Sequence, residues 1–287
     1  MQPQQLPAQA ERRIVTGGEY VAQLDLLESD RRARAAFRQL VLEIARPGAS
    51  LLDFGCGPGL DACFYAEHGF AVRAYDIDRE MCESFRVNCR APIAAGRVRL
   101  EEGRYEEFLA RHRHGTGTVD LVTSNFAPLN LIDDLHELFA TLQALTAPDG
   151  RVLASVLSPY FLGDLRYRWW WRNLPRLVHS GRYAVPGAQA AIVRRRLADF
   201  VVQSAPYFSL EAVFRGLPGP HLRSPLRRMR HLPGRATWLG LSTCRFMFLL
   251  FARRAAAELS GGPLDSSASS LHSTSSDARG CPPLRSS

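Results

Sequence analysis

From Leu51 to Ser158 the chain alternates short apolar runs with longer stretches in which apolar residues return every three or four positions. LLDF suits a buried strand, and FAVRAYD, GRVRL, TVDLVTS and RVLASVLS read as further strand candidates. Between them, LDACFYAEHG places Leu60, Cys63 and Phe64 at i, i+3 and i+4 and ends at Gly69, where a left-handed helix cap belongs. REMCESFRVNCRAP turns Met81, Cys82 and Phe85 inward, and LIDDLHELFATLQALTAPDG predicts an amphipathic helix ending at Pro148 and Gly150. Upstream, Leu24, Leu27, Phe37, Leu40, Val41 and Ile44 repeat at helical spacing and predict one or two helices that stop before Pro47 and Gly48. This strand and helix alternation predicts an α/β fold with a parallel sheet and right-handed crossovers.

Beyond Pro159 the simple period disappears. LGDLRYRWWWRNLPRLVHSGRYAVPG clusters aromatics, arginines, prolines and glycines and has the character of an insertion. FMFLLFA at 246–252 is too short to span a bilayer and reads as another buried strand. The polar segment 1–14 and the Ser, Gly and Pro-rich segment 259–287 are expected to be disordered. The expected division of the main body, 15–258, is N-terminal helices (15–48), a core (49–158), a lid (159–200) and a C-terminal part of the sheet (201–258).

With 287 residues, 46% of them hydrophobic, the chain can bury a large core, which excludes wholesale disorder. All 36 basic residues are arginine, so lysine chemistry is excluded. Residues 1–150 hold 16 arginines against 22 acids, a balance of −6; residues 151–258 hold 18 against 4, or +14. The basic half leaves nucleic acid, an anionic lipid surface, an acidic carrier protein or an anionic small molecule open as partners. The runs RRR at 194–196 and LRRMR at 226–230 are expected to form a solvated basic face. The six cysteines show neither metal-ligand spacing nor a disulfide framework, so no metal site is expected and a reducing cytoplasm fits. No signal core and no transmembrane segment is legible.

The chemistry concentrates at LLDFGCGPG, residues 51–59. Asp53 stands at a strand end, and Gly55, Gly57 and Gly59, with Cys56 between, allow a tight turn and close approach to a ligand. A second strand ends in Asp76, placed to accept from ribose hydroxyls. A dinucleotide fingerprint needs a third glycine where Leu60 stands, which disfavours NAD. The pattern D-x-G-x-G-x-G with a later strand-end acid resembles motifs I and II of the class I S-adenosylmethionine-dependent methyltransferases, over about residues 45–158.

That resemblance implies a doubly wound, mostly parallel seven-stranded sheet with a helical, aromatic lid, RFMFLLFAR being its antiparallel seventh strand. It implies S-adenosylmethionine as cofactor and S-adenosylhomocysteine as product. Asp53 and the backbone of Gly55 to Gly59 would take the methionine part, while Asp76 and Ile77 would take ribose and adenine. After the third strand, Arg104 and Tyr105 stand where many relatives carry an acid and a small residue, so the adenine contact falls to Glu102 or to backbone and Tyr105. Asn125 and Phe126, in SNFAPLN, would wall the transferable methyl group; the stretch lacks the N/D-P-P-F/Y signature of base methylation.

Trp169, Trp170 and Trp171 suit an acceptor wall, a cation–π platform or a peripheral membrane or partner contact, and at least one should be exposed. His179 and Tyr160, with Tyr167 and Tyr183 behind them, are the general-base candidates if a hydroxyl is methylated. The leading expectation is methyl transfer to a small apolar or aromatic metabolite. The alternatives are an RNA or protein methyltransferase, with nucleic acid not favoured, and a catalytically silent cofactor-binding partner subunit.

Overall fold

A computed structural model describes residues 28–115, 117–185, 191–215 and 244–254. Helix α1 (Glu28–Ile44) leads into β1 (Ser50–Phe54), α2 (Leu60–Glu67), β2 (Ala71–Asp76), α3 (Arg79–Asn88), the short α4 (Arg90–Ala94) and β3 (Val98–Glu102). The chain continues through α5 (Tyr105–His112), β4 (Val119–Ser124), α6 (Leu135–Leu145) and β5 (Thr146–Leu157). It then forms α7 (Arg168–Ser180), the hairpin β6 (Arg182–Val185) and β7 (Ile192–Arg195), α8 (Leu197–Ser204), β8 (Phe208–Arg215) and β9 (Phe246–Arg253).

Seven strands make one sheet in the order β3-β2-β1-β4-β5-β9-β8. β1 to β5 pair in parallel, and β9 runs antiparallel to both β5 and β8. Strand order reverses at β1, so the loops after β1 and β4 diverge from the same edge and open a crevice at the carboxyl ends.

Both faces of the sheet are covered, and neighbouring residues on a strand face opposite cores. Leu51, Leu121, Leu153, Phe248 and Leu250 pack with Phe37, Leu40 and Tyr65 on one side. Leu52, Val122, Val152, Leu249 and Phe251 pack with Phe108, Phe139 and Phe200 on the other.

Several expectations are corrected. In α2 the buried positions are Asp61, Ala62, Tyr65 and Ala66; Leu60, Cys63 and Phe64 lie at the margin of that face. Gly69, with φ +88°, does follow the helix end in the left-handed conformation. α6 stops at Leu145, because Pro148 lacks an N–H and forces the residue before it into extended backbone. β5 accordingly starts at Thr146, whose hydroxyl donates back to the Leu142 carbonyl (2.6 Å).

The expectation that the cysteines form no disulfide is corrected as well, which removes the ground for a reducing compartment: Cys63 and Cys89 form a disulfide between α2 and the end of α3, with Cα atoms 5.6 Å apart. The partners lie 26 positions apart with no local spacing cue, so only helix packing brings them together. Segment 159–200 contains a β-hairpin beside its helix. Leu24, Leu27, LRRMR, Cys281 and both terminal segments lie outside the described residues.

Candidate functional site

The glycine loop is held almost entirely by its own neighbours. The N–H groups of Gly55 and Cys56 donate to the Tyr75 carbonyl (2.8 and 3.0 Å), that of Gly57 to Asp76 Oδ2 (2.7 Å), and that of Gly59 to the Cys56 carbonyl (3.2 Å). These four donors are therefore taken before any ligand arrives. Asp61, in the first turn of α2, adds a carboxylate at the positive end of that helix. The loop is thus a poor cradle for a pyrophosphate, which needs free N–H groups at a helix N-terminus.

The three glycines have different reasons to be glycine. A Cβ on Gly55 would lie 2.4 Å from Pro128, and one on Gly59 would lie 2.7 Å from both Cys89 and Phe85. Those two admit protein. At Gly57, with φ +54°, nothing stands within 4 Å of the same position, and this residue alone of the three faces open space.

Asp53 is buried, one oxygen accepting from the Thr123 hydroxyl (3.1 Å) and the other, Oδ2, having no hydrogen-bond partner. Burial first, and then the neighbouring carboxylates Asp61 and Asp76, push its pKa up to about 8, against the pull of Thr123 and Arg34. Asp76 is buried as well; its Oδ1 accepts from the Asp78 N–H (2.9 Å) while Oδ2 holds Gly57. Desolvation raises its pKa, and these backbone donors oppose the rise. Next to it Ile77 is 62% exposed, an apolar surface beside the two acids. Cys56 is buried, and burial raises its thiol pKa well above the ordinary range.

At the end of β4, Asn125 donates to Asp61 Oδ2 (3.0 Å) and its Oδ1 accepts from the Phe126 N–H (2.9 Å). Phe126 and Ala127 both have left-handed backbone, φ +62° and +69°, a strained pair for residues with side chains. Their turn brings Pro128 onto Gly55. Two arginines of α1, unmarked in the sequence reading, complete the network. Arg34 lies 3.0 Å from Asp61 and 4.6 Å over the Phe126 ring, and Arg38 donates to Asp61 (2.7 Å) while covering Phe64.

Other expected positions fall differently. Glu102 is the register partner of Asp76, but its carboxylate is paired with Arg86 (2.7 Å). Arg104 is exposed beside Glu106 (3.5 Å), and Tyr105 packs against the core with its hydroxyl buried and unpartnered. His179 is exposed in the last turn of α7, and Tyr160 is half-buried after β5. The expectation that 194–196 forms a solvated face is wrong for two of its three arginines. Arg195 donates to the carbonyls of Ile132 and Asp133 (2.7 and 2.9 Å), and Arg194 donates to Ser158 (2.8 Å) and neighbours Asp164. A run of arginines can be internal when carbonyls and acids satisfy the guanidinium donors.

Segment 159–200 is fastened to the turn after β4. Asn130, fully buried, donates to the Val193 carbonyl of β7 (2.6 Å) and accepts from the Leu157 N–H (3.0 Å). Trp170 is buried and donates to Pro159, whereas Trp171 is 56% exposed. Trp169 lies between Tyr167 and Tyr183, at centroid distances of 6.1 and 6.3 Å. Tyr183 stands opposite Arg194 across the hairpin, its hydroxyl buried without a partner and its pKa pushed up to about 12 by burial.

A family described as "Methyltransferase domain" matches residues 27–188. The chain belongs to this methyltransferase family. It is 25% identical over 177 residues to a malonyl-[acyl-carrier protein] O-methyltransferase of Enterobacter lignolyticus, covering 61% of this chain and 65% of that protein. To the enzyme of the same name from Salmonella typhimurium it is 30% identical over 130 residues, covering 45% and 47%. The chain thus spans less than two thirds of the length of these curated relatives. A TehB-like SAM-dependent methyltransferase structure from Corynebacterium glutamicum shares the fold, with a TM-score of 0.52, 15% identity, and coverage of 83% of this chain and 98% of that one.

S-adenosylmethionine is the cofactor of this methyltransferase fold, and the residues present fit it. The molecule carries an ammonium and a sulfonium but no phosphate, which suits a loop whose N–H groups are already taken. Asp53 Oδ2 offers an unpartnered buried acceptor to a cation, Gly57 leaves room, and exposed Ile77 offers an apolar face. Among the described residues, no cluster of His, Cys, Asp and Glu could hold a metal ion. No described helix is long and apolar enough to cross a membrane.

Proposed function

We propose that this methyltransferase transfers the methyl group of S-adenosylmethionine to a carboxylate oxygen of a small acyl acceptor, of the kind its curated relatives are named for. The observation that carries the donor half is the unpartnered oxygen of buried Asp53. On this reading Asp53 takes the ammonium of the methionine part, and Arg34, close enough to lower the pKa of Asp53, takes its carboxylate. Asp76 and Ile77 hold ribose and adenine, and Asn125 and Phe126 wall the reacting carbon. Bound S-adenosylmethionine supplies an electrophilic methyl carbon, so the protein has mainly to align the acceptor, an effect worth up to about 7–11 kcal/mol.

A carboxylate acceptor is ionised at neutral pH and needs no general base, so neither His179 nor Tyr160 is required for proton transfer. The unpartnered Tyr183 hydroxyl, held protonated by burial, is a donor that supports an anionic acceptor in the lid. The aromatic cluster of Tyr167 stacked on Trp169, with Tyr183 tilted against it, is the one observation favouring a ring-bearing acceptor instead.

The test is calorimetric titration with S-adenosylhomocysteine of wild type, Asp53→Asn, Asp76→Ala and Gly57→Val, followed by methyl-transfer assays on malonyl-acyl carrier protein and on phenolic acids. Binding lost in the variants and transfer to the carboxylate support the reading. Folded wild-type protein that ignores the cofactor overturns it. Binding with transfer only to a phenolic oxygen overturns the acceptor half.

A further inference from the structure

We propose that the outer face of α7 is a docking surface for an acidic carrier protein that presents the acyl acceptor to the lid; the inference rests on the carboxylate reading above. α7 buries Trp170 and Leu177 and turns Arg168, Arg172 and Arg176 outward, at i, i+4 and i+8. Four residues advance a helix by about 6 Å, so the three guanidinium groups leave the helix as one row. None of the three has an acidic partner within ion-pair distance among the described residues. Many exposed arginines elsewhere pair with acids, Arg31 and Arg32 with Glu28, Arg79 with Glu83, and Arg113 with Glu137; Arg90, Arg99 and Arg166 are unpaired too, but they stand singly, and among the described residues only α7 lines up three on one helix. Like charges stacked at i, i+4 work against the helix that carries them. Such a row calls for carboxylates from outside, and an acidic helix lying alongside supplies them at matching spacing.

Two apolar side chains complete the surface. Trp171 and Val178 are 56% and 63% exposed on the flank of the same helix, roughly 100° round from the arginine row, and the Trp171 indole donates to the Leu165 carbonyl (2.7 Å), which fixes the ring as an anchor beside the charges. Position fits delivery: α7 begins eleven residues after the carboxyl end of β5, and the Trp170 indole ties it to Pro159 at that edge of the sheet. A membrane fits less well. An interfacial helix inserts a continuous apolar stripe, and here Trp170 and Leu177 are already buried against the protein, leaving only Trp171 and Val178 to insert.

The experiment titrates the full chain with holo-acyl carrier protein, comparing wild type with R168E/R172E/R176E, and titrates each protein with S-adenosylhomocysteine as well. The expected result is carrier binding weakened about tenfold or more by the triple reversal and by raised ionic strength, with cofactor affinity unchanged. Single Arg→Gln variants carry the same readout if the triple variant does not fold. Carrier binding that ignores the charge reversal, or is absent from a chain that binds S-adenosylhomocysteine, overturns the docking face and leaves the methyltransferase reading intact. Co-sedimentation with phosphatidylglycerol vesicles that is lost on reversal, without carrier binding, also overturns it, in favour of a lipid surface. Failure of wild type to bind the cofactor would instead strike the reading beneath.

Discussion

On the proposed reading, Asp53 governs how the cofactor site responds to pH. Its folded-state pKa of about 8 lies above the ordinary carboxylate value, so between roughly pH 4 and 8 the folded chain binds a proton that the unfolded chain has released. The stability this contributes is present below pH 4 and lost as pH rises toward 8. Chemical denaturation of the ligand-free protein should therefore show stability falling across that window, and Asp53→Asn should flatten the slope. Cofactor affinity should move the other way, rising with pH as the carboxylate ionises to meet a cation. The glycines give a second prediction. Gly57→Ala, strained only by its positive φ, should cost about 1–2 kcal/mol, while Gly59→Ala, which also drives a Cβ into Cys89 and Phe85, should cost about 2–5 kcal/mol by urea denaturation. The loop was legible in the sequence because its signal is local, an acid and glycines over a few residues. The reason each glycine is needed was not, because Pro128, Phe85 and Cys89 arrive from distant elements.

At the scale of elements, α1 is tied to the site through Asp61. Asp61→Asn keeps the shape but removes the charge that Arg34 and Arg38 share, and should lower stability by about 1–3 kcal/mol and weaken cofactor binding. On the other face, Phe139→Ala in α6 removes a fully buried ring that meets Phe208 and Phe251, and should cost about 3–5 kcal/mol with cofactor affinity retained. Helical and strand periods disclose these elements well, but α6 differs at both ends: Asp134 caps it at Leu135 rather than Leu131, and Pro148 ends it early. The Arg34–Asp61 pair was invisible because nothing at position 34 distinguishes it from other arginines on an amphipathic helix. The β6–β7 hairpin was missed for a related reason: four-residue strands carry too few positions to show a period, and internal arginines disguise them as surface.

For the whole molecule, the reversal of strand order at β1 gathers Asp53, Asp76 and Asn125 from three separate strand ends into one crevice. A ligand binding there reports on the assembled sheet. S-adenosylhomocysteine at about a hundred times its Kd should stabilise the chain by about 2.7 kcal/mol and raise Tm by about 5–10 °C in a thermal scan, an increment that Asp53→Asn should abolish. The bolts between the β6–β7 hairpin and the turn after β4 carry a consequence for recombination. Asn130 and the carbonyls of Leu129, Ile132 and Asp133 reach across to Val193 and Arg195, so the two segments are inherited as a matched pair. A chimera that imports another enzyme's 159–204 alone strands those polar groups in the interior, whereas one that imports 124–133 with it brings their partners along. The unit of exchange for a new acceptor is both segments together.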